Sequence, residues 1–132
     1  MEFYMSTKVN GDFEATIEQV KSELAEEGFG VLSDIDVEAT LQNKLGVDFH
    51  KYRILGACNP PFSHKALQAE DKIGTLLPCN VIVQELGPGS IEVAAVDPQV
   101  SMQGVSNAEI ETIAGEIKDR LQRVIDRLTT NK

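Results

Sequence analysis

Residues 3–9 read as a strand, and after Gly11-Asp12 the apolar positions change to helical spacing. Phe13, Ile17, Val20 and Leu24 fall 4, 3 and 4 apart, one face of a helix that Asp12 is placed to cap and Gly28 to end. Residues 29–35 follow as a strand. Asp36 then caps a short helix that carries Ala39, Leu41 and Leu45 and closes at Gly46. Residues 52–57 form a third strand, which runs into Cys58-Asn59-Pro60-Pro61. The two prolines stop the ladder and can open a helix, placed over residues 62–70. Residues 81–86 are a β-branched strand, Gly87-Pro88-Gly89-Ser90 a hairpin loop, and residues 91–96 the last strand, ended by Asp97-Pro98.

The final helix is the clearest element. Ser106 with Glu109 fits a capping box, and Ile110, Ile113, Ile117, Leu121, Val124 and Leu128 then repeat at 3, 4, 4, 3 and 4. Glu116 with Arg120 and Asp119 with Arg123 make i,i+4 pairs on its outer face. Strands and helices mix, and one hairpin closes. That predicts an α+β fold with a largely antiparallel sheet, one domain over residues 1–132, and a long amphipathic C-terminal helix.

Composition narrows the partners. Hydrophobic residues make up 42% of the chain, which excludes disorder, and about two-thirds of the unfolded surface is buried at this size. Twelve Lys and Arg stand against 21 Asp and Glu, a net charge of −9, without a basic cluster. Nucleic acid and anionic membrane surfaces are disfavoured on that ground. No run approaches a membrane span and the first residues lack the basic and apolar regions of a signal peptide, so a soluble, cytoplasmic protein is expected.

Two segments combine residues that can carry chemistry. Gly56-Ala57-Cys58-Asn59-Pro60-Pro61 has His64 close behind, and the second segment is Leu77-Pro78-Cys79-Asn80. Each sets a Cys-Asn pair beside proline at a strand end. If the two strands pair antiparallel, both cysteines reach the same rim of the sheet. Four readings of the cysteines stand side by side: buried packing residues, soft-metal ligands with His64 as a third donor, a nucleophilic Cys58 with His64 as base, and a reversible disulfide. Asn59 and Asn80 either tie loop backbone or hydrogen-bond a ligand. His50 reads as a solvent-facing loop residue, Asp36 as a cap and Asp97-Pro98 as a strand stop. Phosphate-loop, dinucleotide, zincin and nucleophile-elbow motifs are absent from the sequence.

The order Glu27-Gly28-Phe29-Gly30-Val31, Asp34-Ile35-Asp36-Val37, Tyr52-Arg53-Ile54-Leu55-Gly56-Ala57-Cys58-Asn59-Pro60, Leu76-Leu77-Pro78-Cys79-Asn80-Val81 and Val96-Asp97-Pro98 resembles the bacterial and archaeal family of domain of unknown function 302. The resemblance runs over residues 3–128. It implies a small α+β domain with a curved antiparallel sheet covered by helices, similar to the TATA-binding-protein-like architecture, and a homodimer. It implies no reaction. Asn-Pro and Leu-Pro are the parts it shares, which leaves Cys58 and Cys79 to this chain's own role. The expectation is a domain that binds a small molecule or a metal ion, zinc or copper, at a rim formed by Cys58-Asn59-Pro60 and Pro78-Cys79. Cys58, Asn59, Cys79 and Asn80 would hold the ligand, and Cys58, Cys79 and His64 a metal. Two alternatives are an enzyme with Cys58 as nucleophile and a dimeric interaction module, with Phe13, Phe29, Phe49 and Phe62 as surface residues to probe.

Overall fold

Asp12 starts the first helix by accepting the Ala15 N–H at 2.8 Å, and Asp36 does the same for the second through Ala39 at 2.9 Å. From such local signals residues 2–130, the part described by this computed structural model, build ten strands and helices. In chain order they are β1 (Tyr4–Asn10), α1 (Phe13–Glu26), β2 (Gly30–Asp36), α2 (Val37–Leu45), β3 (Tyr52–Cys58), α3 (Pro60–Ala69), β4 (Cys79–Gly87), β5 (Ser90–Val96), α4 (Pro98–Ser101) and α5 (Ala108–Thr130). A 3-10 turn, Asp71–Leu76, joins α3 to β4. The strands form one sheet in the order β1-β5-β4-β3-β2, every neighbouring pair antiparallel. The α+β class and the long C-terminal helix are as the pattern predicts.

Three local expectations need correction. Helix α3 begins at Pro60, because both prolines fit the first turn, where an N–H has no partner to lose. Strand β4 begins at Cys79, since Cys79 pairs with Ala57. Asn107, not Ser106, starts α5: its Oδ1 accepts the Glu109 and Ile110 N–H groups at 3.0 and 3.3 Å, while its Nδ2 donates to Ala69 O at 3.0 Å. The side chain that also ties α5 to the end of α3 wins the capping position.

The stripes of α1 and α5 pack on one face of the sheet. Ile17, Val20, Leu24, Leu121, Val124 and Leu128 are buried there against Leu55, Val81, Val83, Ile91 and Val93. A second, smaller cluster of Ala66, Ile73, Met102, Ile110 and Ala114 lies under α3 and the start of α5. Phe13 and Phe29 belong to the main core and leave the proposed aromatic surface; Phe49 stays exposed. Arg53 marks the helix side of β3. It grips Asp34 through two bonds of 2.7 Å and reaches Glu14 of α1 at 3.1 Å, which holds the Asp34 carboxyl below its usual value. Helix α2 is different: none of its residues is buried. No helix among the described residues is long and apolar enough to cross a membrane.

Gly56 is where β3 meets the turn into β4. A Cβ there would lie 2.8 Å from Pro78 Cγ and collide with Ser33 Oγ, whereas one on Gly30 would meet nothing within 4 Å. Gly56→Ala is therefore expected to cost about 1–3 kcal/mol in urea denaturation, by overpacking. Gly30→Ala should stay within about 0.5 kcal/mol of the parent. Equal stabilities for the two variants would contradict this packing.

Candidate functional site

Successive residues of a strand leave opposite faces, and this parity puts Cys79 on one side of the sheet and Cys58 and Asn80 on the other. The strands do neighbour each other, with Ala57 opposite Cys79 and Gly56 opposite Asn80. Cys79 points into the core beside Ala57. Burial pushes its thiol up to about 11, with the nearby Cys58 adding to the rise. Cys58, on the other side of the pleat, is half-buried and shares a 3.3 Å hydrogen bond with the Ser63 hydroxyl. Asn80 is exposed on the face away from α1 and α5. Both cysteines are free thiols.

His64 joins neither thiol. It is exposed on α3, and among the described residues no group of three His, Cys, Asp or Glu side chains is arranged to hold a metal ion. The set Cys58, Cys79 and His64 is thus not brought together. The start of α3 is also a weak place for a thiolate. Pro60 and Pro61 lack the N–H groups through which a helix N-terminus lowers a thiol pKa.

Asn59 is buried and serves the fold. Its Nδ2 donates to Glu27 O at 3.1 Å, at the turn where α1 ends. Gly28 makes that turn with φ +86°, and a Cβ on it would sit 3.1 Å from the same Nδ2. The Glu27 carbonyl also accepts from Arg120 at 3.0 Å. The buried Glu27 carboxylate receives Arg123 at 3.0 Å and Arg127 at 2.8 Å. These arginines hold its carboxyl below the usual value, Arg123 foremost, against the opposing effect of burial. Arg120 and Arg123 thus reach across to α1 rather than serving only as i,i+4 partners along α5. The cavity nearest this region, between Ala57, Phe62, Cys79 and Ala114, has about 20 Å³, room for about one water.

The opposite face of the sheet holds a larger space. A recess of about 410 Å³ lies over β1, β5, β4 and β3. Its floor is short, with Ala94 opposite Ile82 and Asn80 beside them. Its walls are tall: Phe3 and Tyr4, rings 5.1 Å apart edge to face, on one side and Tyr52 on the other. One cross-strand row there is polar, pairing Tyr52 with Gln84, Gln84 with Glu92, and Glu92 with Lys8. Gln84 is held at both ends. Its Oε1 lies 2.8 Å from His50 Nε2, and its Nε2 donates to Glu92 Oε1 at 2.8 Å. His50 packs on Phe49 at 4.2 Å and meets Tyr52 edge to face.

Of the residues expected at a site, only Asn80 lines this recess. Tyr52, Gln84, Glu92 and Ala94 escape a motif search because they lie on three strands. A signal does exist in the near-continuous apolar runs Val81-Ile82-Val83 and Ala94-Ala95-Val96. Antiparallel strands exposed on one face normally alternate, so such runs point to apolar surface on both faces.

A family model described as domain of unknown function DUF302 matches residues 5–128. A crystal structure of an uncharacterized conserved DUF302 protein from Bacillus stearothermophilus is similar to this chain at 30% identity. Its TM-score is 0.88, over 97% of this chain and 99% of that one. No curated protein matches the sequence.

With its thiol raised to about 11, Cys79 leaves about one thiol in a thousand ionised at pH 8. Native Cys79 should react with iodoacetamide at pH 8 at least roughly 100-fold more slowly than free cysteine, as read by peptide mass spectrometry. Labelling at the rate of free cysteine would show that it is not the buried packing residue described.

Proposed function

This chain belongs to the DUF302 family, and we propose that it is a binding module whose ligand site is the recess on the helix-free side of β1, β5, β4 and β3. The observation that carries this reading is the recess itself. Its volume of about 410 Å³ falls within the roughly 300–1,000 Å³ of small-molecule sites. It combines an apolar floor and aromatic walls with a few fixed polar groups, the usual make-up of such a site. The rim cavity of about 20 Å³ offers no comparable space. The ligand expected at Cys58 and Cys79 is thus assigned to the neighbouring recess, whose lining includes Asn80 alone of the expected residues.

A second reading, self-association, draws on a different surface. No residue of α2 is buried, and Leu32, Leu45 and Val47 are exposed around it, at 72%, 69% and 43%. A helix of nine residues is marginal in water without packing. A second copy laid against α2 and the β2 edge would supply that packing, and the family resemblance implies a homodimer without saying which surface pairs.

Two measurements check these readings. Nile red, a neutral apolar dye, should bind the parent protein with a rise in fluorescence. Ala94→Trp, which fills the floor of the recess, should weaken binding at least ten-fold without lowering the melting temperature. Dye binding indifferent to Ala94→Trp, or none at all, overturns the recess as a site. Sedimentation velocity should show a dimer in the parent and a monomer in the Leu32→Glu/Leu45→Glu variant. A parent monomeric at every concentration removes the second reading.

A further inference from the structure

The polar end of the recess specifies what kind of molecule it receives. Among the described residues Glu92 is the one charged side chain lining it, on a chain of net charge −9. Its Oε1 accepts from Gln84, and Gln84 is pinned from behind by His50, so the carboxylate is held in place rather than free to turn. Among the described residues Glu92 forms no ion pair. Lys8 faces it across the β1–β5 ladder, yet the two make no salt bridge. The second carboxylate oxygen is therefore an acceptor without a cation, at the end of a trough otherwise walled by Phe3, Tyr4 and Tyr52.

We propose that the recess binds an aromatic or otherwise flat apolar molecule bearing a protonated amine, with the amine on Glu92 and the apolar body between Tyr4 and Tyr52. This rests on the recess being the ligand site. Two physical effects support it. A carboxylate partly removed from water gains most from a charge-assisted hydrogen bond, about twice as strong as a neutral one. The negative faces of aromatic walls also attract a cation. An anionic ligand would meet the fixed Glu92 charge and the acidic field of the whole protein, with Lys8 across the β1–β5 ladder as its counter-ion. Negatively charged small molecules are thus rejected by the same group that receives the amine.

The experiment compares three probes of nearly equal shape by displacement of Nile red and by chemical-shift changes in the protein: naphthylethylamine, ethylnaphthalene and naphthylpropionate. The amine should bind at least ten-fold more tightly than the propionate, with shifts at Tyr52, Ile82 and Ala94. Glu92→Gln, which keeps the shape and the Gln84 contact, should abolish that preference while ethylnaphthalene binds unchanged. Lys8→Ala should strengthen amine binding by removing a like charge from the position opposite Glu92. Equal binding of amine and propionate, or a preference that survives Glu92→Gln, overturns the ligand class and leaves the recess standing. Absence of shifts at the recess with all three probes overturns the recess and the ligand class together.

Discussion

Period-two alternation of side chains across a strand is the constraint from which the rest of this structure follows. Helices α1 and α5 fill one face of the sheet with Val81, Val83, Ile91 and Val93, and the intervening residues Ile82, Glu92 and Ala94 necessarily leave on the other. The second face is neither fully polar nor fully covered. Small residues in its middle and aromatic residues at its margins turn it into a recess. The same alternation separates Cys58 from Cys79 and Asn59 from Asn80. Two Cys-Asn pairs that look alike in sequence are therefore split between the two sides of the sheet, with Asn59 and Cys79 beside the core and Cys58 and Asn80 on the other side.

The residues that carry the family resemblance are mostly occupied in building this frame. Gly28 and Asn59 form one close contact, the asparagine amide filling the space that a Cβ would need. Gly56 leaves room for Pro78 and Ser33. Asp97 caps α4 through the Gln99 N–H at 2.9 Å and pairs with Lys118 of α5 at 3.0 Å. The buried Glu27 gathers Arg123 and Arg127 and locks α5 over the end of α1. Breaking such a pair leaves a buried charge uncompensated, so these contacts fix the helices in place more than they add net stability. A motif of this kind marks a fold, and the recess proposed to bind lies elsewhere.

The helical half of the molecule was legible from the start. The α1 and α5 stripes, the Asp12 and Asp36 caps and the Gly28 and Gly46 stops act locally, and their chemistry is written within a few residues. The hairpin was legible too, but its register was not. A plain two-residue loop closed by Gly87 and Ser90 would place Gln84 opposite Val93. The irregularity between Glu85 and Gly87 shifts the pairing by one residue and brings Gln84 opposite Glu92. One such slip exchanges the two faces, so the polar row could not be assembled without the bulge. His50 was hidden for a related reason. Its partner Gln84 lies on another strand, 34 residues away. The Cys-Asn pairs beside proline correctly mark two paired strand ends, but the pattern does not show which way each side chain leaves, and burial gives Cys79 to the core.

The account depends on the face with Ile35, Ile54 and Ile82 being open to small molecules while the face with Ile17, Ile91 and Ile117 is closed. Methyl-resolved NMR with a soluble paramagnetic agent measures this directly. The account predicts strong relaxation enhancement at the Ile54 and Ile82 methyls and little at Ile17, Ile91 and Ile117. Protection of Ile82 equal to that of Ile91 would mean that the second face is covered, and would contradict the account.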